Sequence, residues 1–399
     1  MSPYKKFWGL DPEITFLNHG SFGACPTAIL ERQNELRREL ERNPMDFLHR
    51  TLEPRYDYAR QRLADFVGCK FESLTFVPNA TTGVNSVLQS LSFKEGDEII
   101  VTNHEYNASR NALNYVAFLN RVRVRQVDIP YPIQKREEVV LPVLKAITPR
   151  TRLVLLDHIT SATGFIMPIE EIIQECNRRN IETLIDGAHG PGMVPLNLDQ
   201  LGATYYTGNC HKWMCTPKGS ALLYVRPDRI SIMHPSVISH GFNTIRTDRS
   251  KYSIQFGWTG TICPTPYLCV PDTIDFLEKT VPGGWPAIRE YNHQLVLQGR
   301  DLLCKALNVP VPCPDEFQGS MVTIPIPADP RKRPPTLPRF EAILQNDLWE
   351  RHKIEVPIFF WPDLVTRHVR ISAQLYNSIE DYQTLADALL EELDREKKN

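Results

Sequence analysis

No stretch of this 399-residue chain approaches the ~18 consecutive apolar residues that a membrane-spanning helix needs. A charge excess is missing too. Lys and Arg (45) nearly balance Asp and Glu (47), and a formal charge of −2 gives no general attraction to nucleic acid or to an anionic membrane. Met1-Ser2-Pro3-Tyr4-Lys5-Lys6-Phe7 has no apolar run behind it, so no secretory signal is expected. Paired cysteines are absent: nine lie scattered at 25, 69, 176, 210, 215, 263, 269, 304 and 313. An odd, dispersed set argues against a disulfide framework and for reduced thiols in a cytoplasmic protein. Cys210-His211-x3-Cys215 has half the spacing of a zinc site, but no second Cys/His pair answers it, so no metal is expected. Two nucleotide signatures are also lacking. No Gly-x-Gly-x-x-Gly opens a helix after the first strand, and there is no Gly-x-x-x-x-Gly-Lys-Ser/Thr loop.

What is present is ordinary globular composition, 42% apolar and 23% charged, in a chain longer than one core usually serves. The 32 prolines suit many loops between short elements. Apolar runs at Thr75–Val77, Glu98–Val101, Val122–Val127, Arg152–Asp157 and Ile181–Asp186 read as strands, with helical stretches from Val84, over Asn107–Leu119 and over Ile169–Arg179. Strands separated by helices of this length imply parallel pairing with helices on both faces, an α/β fold. Ala28–Arg42 and Pro54–Val67 precede this block as helices. From about residue 266 the rhythm changes. Pro266–Lys279, Trp285–Leu307, Pro338–Arg351 and Ser378–Leu393 read as helices; Ser320–Ile326, Glu355–Phe359 and Val369–Ser372 read as strands. The expected division is an N-terminal segment 1–22, a large α/β domain 23–265 and a smaller α+β domain 266–399. The basic stretch Asp329–Pro335 is read as a solvated loop.

Three points carry chemistry. Leu184-Ile185-Asp186-Gly187-Ala188-His189-Gly190 ends an apolar strand in an acid and a glycine-rich turn, which would bring backbone close to a ligand. Gly208-Asn209-Cys210-His211-Lys212-Trp213 boxes a lysine in apolar and aromatic residues, surroundings that lower an amine's pKa. Asn79-Ala80-Thr81-Thr82-Gly83 puts small polar residues at a helix start, where backbone N–H groups can cradle phosphate. An acid, a lysine about 25 residues later and a phosphate cradle about a hundred residues earlier together fit pyridoxal 5′-phosphate.

These residues resemble the class V aminotransferase branch of the fold-type I pyridoxal-phosphate enzymes, and within it the isopenicillin N epimerase-like group. The resemblance runs almost end to end, through Phe16–Gly23, Asn79-Ala80-Thr81, Asn103–Ala108, Ser161-Ala162-Thr163-Gly164, Asp186–His189, His211-Lys212-Trp213, Gly260-Thr261 and Val369–Ser372. It implies a large, mainly parallel sheet between helices plus a small C-terminal α+β unit. By resemblance, Lys212 would hold the cofactor as a Schiff base and shuttle the proton, and Asp186 would pair with the pyridinium nitrogen. Ser161 and His189 would approach the phenolic oxygen, while Thr81, Thr82, Asn209 and His211 would hold the phosphate. Gly260-Thr261 would reach that phosphate from a partner subunit, implying a homodimer with shared sites. Arg370 would fork the substrate carboxylate, and the Asn18-His19-Gly20 segment would fold over the substrate. Tyr106 is preferred to His104 for stacking on the ring, and is a candidate acid on the face opposite Lys212.

The family motifs specify the cofactor better than the reaction. Related cysteine desulfurases carry a mobile cysteine shortly before the Val-Arg-x-Ser motif, whereas Val356–Pro362 has none and Cys313 is far away. The first reading is an amino-acid epimerase or racemase. The alternative is a C–S lyase similar to hercynylcysteine sulfoxide lyase or cysteine lyase, with transamination or a non-catalytic cofactor-binding protein behind both. Phe359, Phe360 and Trp361 would line the substrate pocket or fill a core.

Overall fold

The structure, a computed structural model, describes residues 2–331, 333 and 342–398. Its centre is a seven-stranded sheet: β1 (Leu74–Val77), β2 (Glu98–Thr102), β3 (Arg123–Val127), β4 (Thr151–Asp157), β5 (Glu182–Asp186), β6 (Tyr205–Asn209) and β7 (Ala221–Val225). Their spatial order is β1-β7-β6-β5-β4-β2-β3. All neighbours are parallel except those of β7, which is antiparallel to both β1 and β6.

The continuous apolar runs follow from burial on both faces. Along β4, Leu153 and Leu155 enter one core while Val154 and Leu156 enter the other. On one side this core includes residues of the helices Thr27–Arg42, Leu52–Val67 and Ile169–Arg178; on the other, of Ala80–Ser90 and Asn107–Asn120. Register aligns Asp157 with Asp186 and Asp186 with Thr207. Three adjacent parallel strands therefore deliver their last residues to one rim, where ligands of such sheets bind.

Beyond the sheet, Met321–Ile326, Ile358–Phe360 and Arg367–Ser372 form an antiparallel sheet with Arg367–Ser372 in the middle. The helices Gly284–Leu307 and Ile379–Lys398 pack with it in a second core. The N-terminal segment is tied to this part. Thr15–Phe16 pairs in parallel with Ile354–Glu355, and the Leu17 carbonyl accepts from Ser372 N at 3.0 Å.

Several elements differ from the sequence reading. β7 was not anticipated; an antiparallel return needs no crossover helix, so the helix–strand rhythm gave no warning. The helix expected from Val84 begins at Ala80, because Asn79 caps it by accepting from Thr82 N at 2.8 Å. The long helix Pro266–Lys279 is two, Thr265–Leu268 and Val270–Thr280. The strand expected over Glu355–Phe359 splits at Val356-Pro357 into Ile354–Glu355 and Ile358–Phe360, with different partners. The helix expected over Pro338–Arg351 is seen as Ile343–His352, its expected first turn lying outside the described residues. Among the described residues no helix is long and apolar enough to cross a membrane.

Candidate active site

At the carboxyl rim of β4, β5 and β6 lies a cavity of about 510 Å³. Its wall includes Lys212, Asp186, His189, Asn209 and His211 from the sheet side, Asn79 and Thr81 from the start of the Ala80–Ser90 helix, and Tyr106, Ser161 and Arg370 opposite. Sequence reasoning had named nearly all of these, from segments up to about 290 residues apart.

Lys212 sits at the floor. Its amine lies 3.1 Å from His189 Nε2, and His189 Nδ1 accepts from the indole N–H of Trp213 at 3.1 Å. Indole nitrogen only donates, so His189 Nδ1 carries no proton and the neutral ring has its hydrogen on Nε2. The lysine must then accept, which an ammonium cannot do; the hydrogen-bond inventory requires a free amine. The electrostatics push the same way. Burial, with Arg370 adding to it, lowers Lys212 to about 8, while Asp186 and Asp157 oppose the shift. Burial and then Lys212 hold His189 well below its ordinary value.

Asp186 is buried and accepts from Ser109 Oγ at 2.6 Å and from Ala188 N at 3.1 Å. Two further carboxyls crowd it. Oxygen atoms of Glu105, Asp157 and Asp186 lie within 4.8 Å of one another. Both oxygens of Glu105 and Oδ2 of Asp157 are enclosed without a hydrogen-bond partner. Burial first, then repulsion from the neighbouring acids, pushes Glu105 and Asp157 well above the usual carboxylate range. Asp186 is also raised by burial, but its donors Ser109 and Ala188, and the nearby Lys212, work against the rise. Asp186 takes two donors, Asp157 only the Tyr106 backbone amide and Glu105 none, so of the three Asp186 is the one best solvated as a charged carboxylate. Asp157 and Glu105 were not singled out as site residues; the only signal was that Asp157 ends an apolar strand.

Arg370 is a buried cation with no acidic partner among the described residues. Its Nη1 donates to Ser161 O at 2.6 Å and lies 3.3 Å from Ser161 Oγ, its Nη2 donates to Ser21 Oγ at 2.7 Å, and Nε has no partner. Burial lowers it to about 10, against the pull of Tyr106. A desolvated guanidinium facing neutral oxygens is a receptor for a carboxylate. Ser21, Phe22 and Lys218 also line the cavity and were missed. Ser21 lies in the Phe16–Gly23 motif but was given no role; its contact with Arg370 is made across 349 residues.

Not every expected residue comes to this cavity. Thr82 turns away, its amide and hydroxyl both donating to Asn79 Oδ1 at 2.8 and 3.0 Å, so capping the helix consumes its donors. Gly260 and Thr261 line other cavities, around Tyr56, Gly257 and Trp258. Asn18 lines a neighbouring chamber and donates to Glu355 Oε1 at 3.2 Å. Tyr106 lines the cavity and is 44% exposed, whereas His104 does not line it. His104 donates to Ile129 O at 3.1 Å, accepts from Thr163 and packs against Trp361. The glycine-rich turn also has another purpose than ligand approach. A Cβ on Gly187 or Gly190 would collide with the Tyr206 phenol, and one on Gly192 with the Trp213 backbone. No cysteine lines the cavity among the described residues. Cys313 is buried, accepts from Gln318 Nε2 at 2.9 Å and is pushed up to about 11 by burial.

The fold and site define a pyridoxal-phosphate enzyme of fold-type I, and the chain belongs to the aminotransferase class-V family, whose model matches residues 23–328. It is therefore an enzyme, and its cofactor is pyridoxal 5′-phosphate. The residues present fit that group: a free buried amine, one charged acid among buried carboxyls, and a helix N-terminus at the far wall. The chain is 33% identical to isopenicillin N epimerase of Amycolatopsis lactamdurans, over 96% of each chain. It is 29% identical to a probable chloroplastic L-cysteine desulfhydrase of Arabidopsis thaliana, over 95% of this chain and 83% of that one. The solved structure of apo cysteine desulfurase from Thermococcus onnurineus NA1 superposes with a TM-score of 0.80 at 20% identity, over 99% of this chain and 98% of the other.

Proposed function

We propose that this enzyme removes and returns the α-proton of an amino acid or peptide-like substrate, as an epimerase or racemase similar to isopenicillin N epimerase. The observation that carries the reading is the free Lys212 amine, fixed by the Trp213–His189 pair in a cavity that also holds the unpaired Arg370. Bound pyridoxal phosphate supplies the electron sink that makes the α-C–H acidic. Lys212 would hold the cofactor, and its amine would serve as the base on one face of the α-carbon. Asp186 supplies the negative charge for the pyridine nitrogen. His189, whose Nε2 faces the Lys212 amine, and Ser161 would approach the phenolic oxygen. Thr81, Asn209 and His211 would take the phosphate, Ala80 N and Thr82 N being already held by Asn209 Oδ1 and Asn79 Oδ1, and Lys218 would add positive charge at that end. Arg370 exchanges Ser21 and Ser161 for the substrate carboxylate. Tyr106, which lines the cavity, would cover the ring and serve as the acid for the second face. A second copy of the chain would bring Gly260 and Thr261, which line other cavities in this chain, to the phosphate.

A second reading, β-elimination by a C–S lyase, is favoured by the desulfhydrase relatives and needs no base beyond Lys212. Persulfide-forming desulfuration is disfavoured because no thiol among the described residues lines the cavity. Proton NMR in heavy water with holoenzyme and a panel of amino acids separates the two. Loss of the α-proton signal with appearance of the opposite enantiomer supports epimerisation. Accumulation of pyruvate from cysteine or its sulfoxide conjugates replaces that reading with elimination.

The Lys212 value sets a pH dependence. Below about 8 the amine is protonated and not nucleophilic; above it the amine is free. The rate at which apoprotein takes up pyridoxal phosphate, followed by absorbance, is expected to rise with pH and level off above about 8. A rate that climbs steadily toward the ordinary lysine range near 10.4 would show that burial does not lower this amine.

A further inference from the structure

Next to the Lys212 cavity is a second chamber of about 640 Å³. The two share Ser21, Phe22 and Phe359 as a common wall. Phe22 stands in that wall 78% exposed, so no core packing holds its ring. The Arg370 guanidinium lies 4.8 Å from the centroid of the Phe359 ring and donates to Ser21, which puts the carboxylate receptor at the wall itself.

We propose that this chamber receives the substrate's side chain, and that the substrate is an α-amino acid whose side chain ends in an uncharged amide or a cation rather than a second carboxylate. The inference rests on reading the Lys212 cavity as the α-carbon site. A carboxylate held by Arg370 brings the α-carbon against the shared wall. The far side of the first cavity, at Asn79, Thr81, Asn209 and His211, belongs to the cofactor phosphate, so a long side chain extends across the wall. An alanine- or cysteine-sized side chain would leave the chamber unused.

The chemistry of the chamber sets what it accepts. Its described lining carries the amides of Asn18, Gln345 and Asn346 and the rings of Phe22, Trp349 and Phe359. Glu355 is the one charged residue among them. Glu355 Oε1 accepts from Asn18 Nδ2 at 3.2 Å, and Gln345 Oε1 accepts from Ile358 N at 2.7 Å. Glu355 Oε2 and the Gln345 amide nitrogen remain for a ligand, and Asn18 Oδ1 is enclosed without a partner. The outer Trp349 ring already takes a cation, the Lys353 amine 5.4 Å from its centroid. Among the described residues no cation lines the chamber to offset Glu355 against a side-chain carboxylate, whereas an ammonium meets a carboxylate and aromatic faces.

The test uses holoenzyme with alanine, glutamine, ornithine and 2-aminoadipate. Dissociation constants come from the change in cofactor absorbance, and kcat/KM from α-proton exchange in heavy water. Glutamine and ornithine are expected to exceed alanine about tenfold or more in kcat/KM, and 2-aminoadipate to fall below alanine. In Glu355→Gln the ornithine-to-alanine ratio is expected to fall about tenfold, and in Glu355→Arg the preference is expected to turn toward 2-aminoadipate. Equal binding and exchange across the panel, or preference of the wild-type enzyme for 2-aminoadipate, overturns the chamber assignment while leaving the α-carbon site intact. If no amino acid changes the absorbance, the reading of the Lys212 cavity falls and this inference falls with it.

Discussion

Lys212→Ala is expected to abolish the visible absorbance of the bound cofactor and to slow α-proton exchange by roughly 10⁴-fold, the upper range for loss of a positioned base. The size of the effect follows from the surroundings. Lys212 is the lysine beside His189 in the cavity wall, and the Trp213–His189 pair favours its unprotonated form. Lys218, the other lysine in the lining, is exposed at the phosphate end, so it has neither the desolvation nor the partner to substitute. Lys212→Arg is expected to be no better than alanine, because a guanidinium stays protonated and cannot act as the nucleophile. A Lys212→Ala enzyme that kept both the absorbance and the exchange rate would make another amine the cofactor's anchor. Pyridoxal phosphate still bound without that absorbance would confirm that the remaining contacts, at the helix N-terminus and Asp186, survive the change.

The elements that position this site were legible where a physical requirement fell on a short segment. The runs ending in Asp157 and Asp186 had to be buried strands because both faces are covered, and an acid can end such a strand only at the open rim. Lys212 was legible for the same reason, as a cation following a buried strand. What the sequence did not reveal are relations made by folding. Glu105 follows β2 and Asp157 ends β4, and it is the order β5-β4-β2 that brings both against Asp186. Ser21 reaches Arg370 because Thr15–Phe16 pairs with a strand near the other end of the chain. The glycines after Asp186 misled for a similar reason. Their demand for space comes from Tyr206 on the adjacent strand, and a bulky packing neighbour leaves the same trace in sequence as a ligand does.

Asp186→Asn and Glu105→Gln are expected to separate by about two orders of magnitude or more, although both remove one carboxyl from the same cluster. Asp186→Asn takes away the charge proposed to serve the pyridine nitrogen. The expected loss in α-proton exchange is about 10²–10³-fold, the usual cost of removing a preorganised electrostatic partner from a dry site. Glu105→Gln replaces a carboxyl already protonated with a neutral group of the same shape, so its rate is expected to stay within a few-fold of wild type. The reason for the asymmetry is the hydrogen bonding. Asp186 receives Ser109 and Ala188, whereas both oxygens of Glu105 are enclosed without a partner. Infrared difference spectra supply an independent check, since Glu105→Gln should remove a protonated-carboxyl band at neutral pH and Asp186→Asn should not. Equal losses in the two variants, or no such band, would mean that the negative charge is shared across the cluster rather than held by Asp186. The pyridine nitrogen would then be served by three carboxyls acting together, and its protonation would titrate with all of them.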